Sequence, residues 1–265
     1  MIKSDFSHTF AICAYGESEY LEECVDSLIR QSVKTNLIIC TSTPCAYISN
    51  IAKKYGIPVY VREGKSGLKD DWNFAYNTAD SEWVTIAHQD DCYHRDYAKY
   101  LIKRTSELED AIVFFSDYLP IKKNRVGKRD INSRIRRFLR LPMKNDHLAR
   151  KYFWKKVILS LGASICCPSV TYNKSVLGDN VFTSDLKFAI DWETLYQLAE
   201  KDGAFAYIDK PLTYYRVHDG ATSMDFIVNH TRELDDTYMF NLFWPEWMTK
   251  IIMVFYKKAY DTYRG

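Results

Sequence analysis

Apolar positions in the first 120 residues alternate between short runs and longer amphipathic stretches. The runs Thr9–Ala14 and Asn36–Thr41 are typical of buried strands. The segment between them places Leu21, Val25 and Ile29 at i, i+4 and i+8, on one face of a helix. Further strands are expected at Ile57–Val61, Trp83–Ala87 and Ala111–Ser116, with helices between Pro44 and Gly56, over Leu68–Thr78 and over His94–Leu108. The pattern predicts repeated strand–helix–strand units.

Such units predict an α/β fold with a mostly parallel central sheet and helices on both of its faces. Ligands of such sheets bind outside the carboxyl ends of the strands. Candidate functional residues are therefore expected at 15–17, 41–43, 62–64 and 88–91.

The pattern changes after residue 118. Helices are expected over Asn132–Leu141, around His147–Leu161 and over Ile190–Lys201. Residues 167–173 are expected to be extended, and Phe205–Ile208 and Leu212–Val217 to be two short strands. The 40 residues from Phe226 onward contain ten aromatic residues and are expected to form a helical C-terminal extension of two helices.

Composition places the chain among ordinary globular proteins. It has 265 residues, of which 47% are hydrophobic and 26% charged. Its longest apolar runs, such as Ile251–Tyr256, fall far short of the roughly 20 residues that span a bilayer, and Asp5 and His8 interrupt any signal-peptide core. The seven cysteines form no C-x-x-C pair, so free thiols are expected and a zinc site is not. We therefore expect a cytoplasmic protein.

Charge is distributed unevenly. The net charge is +2, but Lys122–Lys156 contains 14 Lys and Arg against two Asp, a local charge of +12. This stretch suggests contact with a phosphate-bearing ligand or with a membrane surface, and a solvated charged helix remains an equal alternative. Nucleic-acid binding is not expected, because no recognised nucleic-acid module accompanies the basic stretch.

Three polar clusters are candidates for chemistry. Asp90 and Asp91 directly follow a predicted buried strand, where two carboxylates about 4 Å apart would repel by about 4 kcal/mol. A divalent cation such as Mg²⁺ or Mn²⁺ would remove that repulsion; a solvated loop that caps the next helix is the alternative. Asp191 lies in the first turn of a predicted helix, which the helix dipole alone would favour. Arg216 and His218 end a predicted strand.

The order of these clusters carries a resemblance. AICAYGESEYLEECVDSLIRQS, GKSGLKDDWNFAYNTADSEWVTIAHQDD and IDWETLYQLAEKDGAFAYIDKPLTYYRVHDGATS resemble the corresponding parts of the family 2 glycosyltransferases, which have the GT-A fold. The resemblance covers roughly residues 8–118 and 164–223. It implies one glycosyltransferase domain over 1–225, with a donor half at about 8–118, a basic insert at about 121–156 and an acceptor half at about 157–225, followed by a tail at 226–265.

The resemblance also implies roles for individual residues. Asp191 falls on the position of the catalytic base, and Asp90 and His218 on positions at the metal, which would be Mn²⁺ or Mg²⁺. His88 stands where the family usually has its first acid. The implied donor-binding residues are Tyr15, Glu17, Asp71, Asp91 and Arg216, joined by Thr41 and Ser42, which replace an acidic turn common in the family.

The implied activity is metal-dependent, inverting transfer of a sugar from a nucleotide-diphosphate sugar, with a UDP-sugar favoured. The acceptor would be a saccharide or a lipid-linked molecule, in bacterial surface-polysaccharide synthesis. Peripheral membrane contact through the aromatic tail or the basic insert, and packing of the tail on a second copy, both remain open. The alternatives are a non-catalytic nucleotide-sugar-binding protein and a nucleotidyltransferase; a nucleotidyltransferase would want a basic, Gly-rich loop where this chain has AYGESEY.

Overall fold

A computed structural model describes residues 6–218, Phe226 and residues 230–258. The strands are β1 (His8–Ala14), β2 (Asn36–Thr41), β3 (Val59–Val61), β4 (Trp83–His88), β5 (Cys92–Tyr93), β6 (Ala111–Lys122), β7 (Arg125–Val126), β8 (Val170–Asn173) and β9 (Ala204–Arg216). The helices are α1 (Leu21–Ile29), α2 (Ala46–Tyr55), α3 (Leu68–Thr78), α4 (Tyr97–Glu107), α5 (Ile131–Arg140), α6 (Asp146–Ala149), α7 (Tyr152–Val157), α8 (Lys174–Leu177), α9 (Ile190–Leu198), α10 (Thr231–Asn241) and α11 (Glu246–Tyr256).

The strands form one sheet in the order β3-β2-β1-β4-β8-β6-β9-β5, with β7 paired to β6. Strands β3, β2, β1 and β4 are parallel to one another, as the alternating pattern predicts. The register pairs Cys13 with His88 and Ala14 with Thr41. Three loops therefore begin at the same edge of the sheet, at residues 15, 42 and 89, and the candidate residues that follow β1, β2 and β4 are neighbours.

The second half of the sheet is mixed. Strand β8 runs antiparallel to both β4 and β6, while β9 is parallel to β6. Residues 205–217, expected as two short strands, form the single strand β9, whose register on β6 shifts between Ser116 and Asp117 opposite Ile208 and Pro211. A bulge at this shift accommodates Pro211, which has no N–H to donate to the ladder. Because the strand continues through Pro211, the prediction of two separate strands was wrong.

The helices cover the sheet largely with the faces that the sequence predicts, although Ile29, the last residue of α1, was expected on its buried face and is 46% exposed. Leu21, Cys24, Val25 and Leu28 of α1 are all buried. Helix α2 ends at Gly56, whose φ of 65° is in the left-handed region that glycine adopts without strain. The helix expected around residues 147–161 is instead two short helices, α6 and α7. All seven cysteines are free, as expected.

Ion pairs within the protein hold much of the basic insert. Asp117, at the middle of β6, is almost completely buried and accepts hydrogen bonds from Arg129 and Arg140. Arg137 makes two hydrogen bonds to Asp209, at 2.7 and 2.8 Å. Buried charges are stable only when they are paired, so these arginines neutralise acids of the body and are not simply a solvated face.

Over residues 230–258, the C-terminal extension contains two helices, α10 and α11, as predicted. Phe240 of α10 lies against Trp192 of α9, with their ring centroids 5.2 Å apart. Trp244 donates from its indole nitrogen to the carbonyl oxygen of Ser160 at 2.7 Å. The extension is therefore packed on the domain beside α9. Across residues 6–218 and 230–258, every helix is too short or too polar to cross a bilayer.

Candidate active site

The turn after β4 carries two acids in different environments. Asp91 is completely buried, and its Oδ1 accepts the backbone N–H of Arg216 at 2.7 Å. Its Oδ2 has no hydrogen-bond partner within the described residues. Burial, reinforced by the charge of Asp90, raises the pKa of Asp91 well above its ordinary value, although Arg216 opposes this. Asp90 lies on the cavity side, with its Oδ2 3.1 Å from Nε2 of His218.

His88, Asp90 and Asp91 bring one ligand atom each to within 4.8 Å of one another. Nδ1 of His88 lies 3.8 Å from Oδ2 of Asp91, and its ring stacks on Trp72 with the centroids 5.4 Å apart. Burial lowers the pKa of His88, which favours the neutral imidazole that can bind a metal. An unpartnered buried carboxylate oxygen, a second carboxylate and the neutral imidazole of His88 together suit a divalent cation such as Mn²⁺.

Arg216 holds this turn from the interior of the protein. It is 2% exposed, and its Nε donates to the backbone oxygen of Asp90 at 2.8 Å. The rest of the guanidinium binds Glu23 of α1 and the side chain of Asn124, and its carbon lies 4.3 Å from the centroid of the Tyr20 ring. The side chain is therefore used within the protein, and it does not line the cavity into which Asp90 points.

That cavity has a volume of about 800 Å³ at the carboxyl edge of β1, β2 and β4. Of the ten site residues expected from the sequence, seven line it, namely Tyr15, Glu17, Thr41, Asp71, Asp90, Asp191 and His218. Ser42, Asp91 and Arg216 do not. These seven residues come from six separate regions of the chain, around residues 15–17, 41, 71, 90, 191 and 218.

Asp191 lies in the first turn of α9, and the turn at residues 166–168 lines the cavity as well. Burial raises the pKa of Asp191 to about 6, and the nearby charge of Asp236 acts in the same direction. The backbone N–H groups of Asp191 and Trp192 and the thiol of Cys167 partly offset this effect. A carboxyl with a pKa near 6 is ionised at neutral pH yet basic enough to accept a proton.

The residues after β1 and β2 form the other end of the cavity. Tyr15 is 60% exposed, and its backbone exchanges two hydrogen bonds with the Gln89 side chain, at 2.9 and 3.1 Å. Thr41 binds the backbone N–H of Thr43 at 3.0 Å. The side-chain oxygen of Ser42 is buried without a hydrogen-bond partner among the described residues. The exposed Tyr15 ring is thus available for stacking.

The carboxylate of Asp71 is bound by residues close to it in the sequence. Its Oδ1 accepts from Arg62 at 2.8 Å, and its Oδ2 accepts from the Ser66 hydroxyl at 2.9 Å and from the backbone of Gly67 at 3.1 Å. These bonds order the loop that leads into α3, so Asp71 faces the cavity mainly as a structural anchor.

A family model described as Glycosyl transferase family 2 matches residues 9–172, well over half of the chain. The chain belongs to this family. It is a glycosyltransferase domain, as the resemblance in its sequence implies, and the matched region contains β1 to β4 and the acids at residues 90 and 91.

Two solved structures share its fold. The chain resembles residues 1–349 of S. aureus TarS, with a TM-score of 0.60 and 16% identity over 94% of this chain and 69% of that one. A complex of that protein contains UDP-GlcNAc. The mannosyltransferase PcManGT from Pyrobaculum calidifontis, solved with GDP-Man and Mn²⁺, gives a TM-score of 0.60 and 15% identity over 83% of this chain and 59% of that one. The GT-A fold expected from the sequence is confirmed.

A curated relative also matches. The glycosyltransferase GlyA of Streptococcus pneumoniae serotype 4 is 26% identical over 115 residues, which are 42% of this chain and 16% of that protein. The chain thus spans about a sixth of that relative.

Sequence reasoning missed part of the lining of this cavity. Arg232, Asp236 and Tyr256 of the C-terminal extension line the cavity, as does Arg136 of the basic insert. The aromatic content of the extension predicted packing or an interface. No signal in the sequence indicated that its charged residues would face the same cavity as Asp191.

Proposed function

We propose that this chain is a metal-dependent, inverting glycosyltransferase that moves a sugar from a nucleotide-diphosphate sugar to a hydroxyl of a saccharide or lipid-linked acceptor. One observation carries the proposal. Asp90, His218 and Asp191, which are far apart in the sequence, line one cavity of about 800 Å³. A nucleotide sugar needs a site for its diphosphate, and its acceptor needs a base. This cavity offers residues for both.

For the donor we propose a UDP-sugar. The exposed ring of Tyr15 can stack on a flat pyrimidine, and Thr41 offers a hydroxyl on the cavity wall. That a structural neighbour of the same fold was solved with UDP-GlcNAc is consistent with this choice.

For the metal we propose Mn²⁺ or Mg²⁺, held by Asp90 and His218. The unpartnered Oδ2 of the buried Asp91 and the neighbouring His88 supply further suitable ligand atoms. When bound, such a cation neutralises the negative charge that grows on a departing nucleoside diphosphate, an effect of several kcal/mol. Arg216 holds the turn that presents Asp90 and does not itself contact the donor.

Asp191 is the proposed general base. Its carboxylate, ionised above a pH of about 6, takes the proton from the acceptor hydroxyl as the oxygen attacks the anomeric carbon. General-base assistance of this kind typically contributes 10²–10⁴-fold in rate. A single displacement inverts the anomeric configuration and needs no enzyme nucleophile, so none of the seven cysteines is required.

A panel of nucleotide sugars, screened for thermal stabilisation with Mn²⁺, tests the donor, because bound ligand raises stability by mass action. The best donor is then incubated with candidate acceptors, and NMR of the product gives its anomeric configuration. Retention of configuration would contradict the single displacement. Stabilisation without transfer or donor hydrolysis would favour the non-catalytic binding protein, and nucleotide transfer from a triphosphate would favour the nucleotidyltransferase.

We further propose that the enzyme works at the cytoplasmic membrane surface in surface-polysaccharide synthesis. Ile131, Ile135 and Phe138 of α5 are exposed at i, i+4 and i+7 within the basic insert, and Trp247 and Ile251 of α11 are also exposed. Apolar side chains beside lysines and arginines suit an anionic lipid surface. Co-sedimentation with anionic liposomes should fall as salt rises. Size-exclusion chromatography without lipid tests the alternative, in which these faces join two copies.

A further inference from the structure

A residue of the C-terminal extension holds the segment that leads into the helix that carries Asp191. Oδ2 of Asp235 accepts three backbone N–H groups in succession, from Lys187 at 2.9 Å, Phe188 at 2.6 Å and Ala189 at 3.2 Å. Asp235 is buried, with 7% of its surface exposed. Ala189 immediately precedes α9, and Asp191 is the second residue of that helix. One carboxylate oxygen therefore holds the segment that leads directly into the candidate base.

This segment has no local alternative for the same task. The first N–H groups of a helix lack intrahelical acceptors, and a side-chain oxygen at the N-cap usually accepts one of them. The N-cap of α9 is Ala189, which has no such oxygen. A carboxylate near a helix N-terminus is also favoured by the helix dipole. Asp235 of α10 accepts the N–H of this N-cap residue and those of the two residues before it, whereas the N–H groups of Asp191 and Trp192 bind the Asp191 carboxylate itself.

A second contact joins α10 to the same segment. The guanidinium carbon of Arg232 lies 4.6 Å from the centroid of the Phe188 ring, and Nε of Arg232 lies 3.4 Å from Oδ2 of Asp236. Arg232, Phe188 and Asp236 all line the cavity with Asp191. The extension therefore contacts residues 187–189 twice, through Asp235 and through Arg232. A movement of α10 would therefore shift the start of α9.

We propose that Asp235 is a positioning residue that sets the place of the Asp191 carboxylate in the cavity. The inference rests on the proposed function, in which Asp191 is the base. Proton transfer is steeply sensitive to geometry, and a misplacement of about 1 Å can lower the rate about 10²-fold. Asp235 thus affects turnover through Asp191, while the donor site, formed after β1, β2 and β4, is untouched.

The test compares Asp235→Ala and Asp235→Asn in the full chain, with Glu233→Gln on the same helix as the control. Glu233 accepts a hydrogen bond from Lys257. Within the described part of the chain, its side chain makes no hydrogen bond to residues 187–189. We expect Asp235→Ala to lower kcat at least 30-fold, with the donor KM and the affinity for UDP–Mn²⁺ changed less than twofold. Asp235→Asn keeps an acceptor oxygen, so it should lose only three- to tenfold. The control should be unchanged.

Amide hydrogen exchange supplies a readout other than activity. Asp235→Ala should speed exchange at the amides of residues 187–189 and leave β1 unchanged. A kcat within twofold of the wild type overturns the proposal, as does a loss that appears in the donor KM alone. If Asp235→Ala does not fold, Asp235→Asn decides by the same criteria, with at least a threefold fall in kcat expected. Asp191→Asn is measured in parallel. If this variant keeps full turnover, the assignment of Asp191 as the base is wrong. If the amides of residues 187–189 exchange at the wild-type rate in Asp235→Ala, only the positioning role of Asp235 is refuted.

Discussion

Asp90 and His218 are 128 residues apart in the chain, yet Oδ2 of Asp90 lies 3.1 Å from Nε2 of His218. Asp90 ends the turn after β4, and His218 lies two residues beyond the end of β9. Arg216 fixes both positions, because its backbone N–H binds Asp91 and its Nε binds the backbone oxygen of Asp90. The pair is thus built by the sheet and is one side of the candidate metal site.

Replacing Asp90 should separate metal-dependent from metal-independent nucleotide binding. We expect Asp90→Asn to weaken UDP binding in the presence of Mn²⁺ at least tenfold, because the variant lacks the charged oxygen ligand that a hard cation prefers. Binding without metal should change less than twofold. Calorimetry with and without Mn²⁺ measures both, with the exposed Asp70→Asn of α3 as a control. Equal loss in the two conditions would argue against a metal at Asp90.

The pH dependence of turnover should report the ionisation of Asp191. Its pKa is raised to about 6, mainly by burial, and a general base must be ionised to accept a proton. At saturating Mn²⁺ we therefore expect kcat/KM to be level between pH 7 and 8 and to fall about tenfold per pH unit well below 6. A profile that stays level down to pH 5 would contradict the assignment.

The raised pKa also has a consequence for stability. A carboxyl whose pKa is higher in the folded state than in the unfolded state destabilises the fold once pH exceeds the unfolded value. Its full effect is reached above the folded value. Between an ordinary 3.8 and about 6, this amounts to about 3 kcal/mol for Asp191.

Asp191→Asn should therefore be more stable than the wild type at pH 8 and inactive. The advantage should shrink to about half at pH 5. Urea denaturation at the two pH values measures it, with the exposed Asp202→Asn as the control. A variant less stable than the wild type at pH 8 would mean that the carboxylate is well solvated or paired.

Arg216→Lys should damage both stability and nucleotide binding. Lysine keeps the charge but cannot bind Glu23, Asn124 and the Asp90 backbone at once. We expect a loss of at least about 2 kcal/mol in the free energy of unfolding and weaker binding of UDP–Mn²⁺. Arg30→Lys, in an exposed pair with Asp26, should change stability by less than about 0.5 kcal/mol. Similar losses in the two variants would show that the buried contacts of Arg216 are unimportant.

The buried acid of β6 gives a further test of the basic insert. Asp117→Asn leaves the buried Arg140 without its counter-charge, which should lower the free energy of unfolding by about 3–5 kcal/mol. Asp110→Asn removes an ion pair with Arg150 in which both side chains are about 40% exposed. This variant should change the free energy of unfolding by less than about 1 kcal/mol. Denaturation by urea compares the two. Equal effects would mean that the insert is not anchored through Asp117.

The sequence predicted the site best where the chemistry is local. The apolar runs and helical periodicity of residues 8–116 placed β1, β2, β4 and α1 to α4 close to their observed bounds, because each buried face repeats within a few residues. The rule that ligands bind at the carboxyl ends of parallel strands then selected Tyr15, Thr41 and Asp90, which all line the cavity.

The sequence was least informative where pairing is non-local. An antiparallel β8 between β4 and β6 leaves no mark in its four residues, because the orientation of a strand is set by its neighbours in the sheet. The charges of the insert predicted a polyanionic ligand. The same basic sequence would be found whether its arginines bind phosphate or a buried acid of the protein such as Asp117. Arg216 was expected at the donor from the resemblance, whereas its guanidinium binds Glu23, Asn124 and the backbone oxygen of Asp90.

The order of elements in the N-terminal half, its parallel sheet and the acids that follow β4 were therefore determined by the sequence itself, since hydrophobic periodicity and strand order need no distant partner. The tertiary structure alone decided that Asp191 lines the same cavity as Asp90 and His218, that Arg216 faces inward, and that Asp235 of the C-terminal extension binds the segment that leads into α9. Each of these depends on which surfaces pack together, and the free energy of that packing belongs to pairs of segments far apart in the chain.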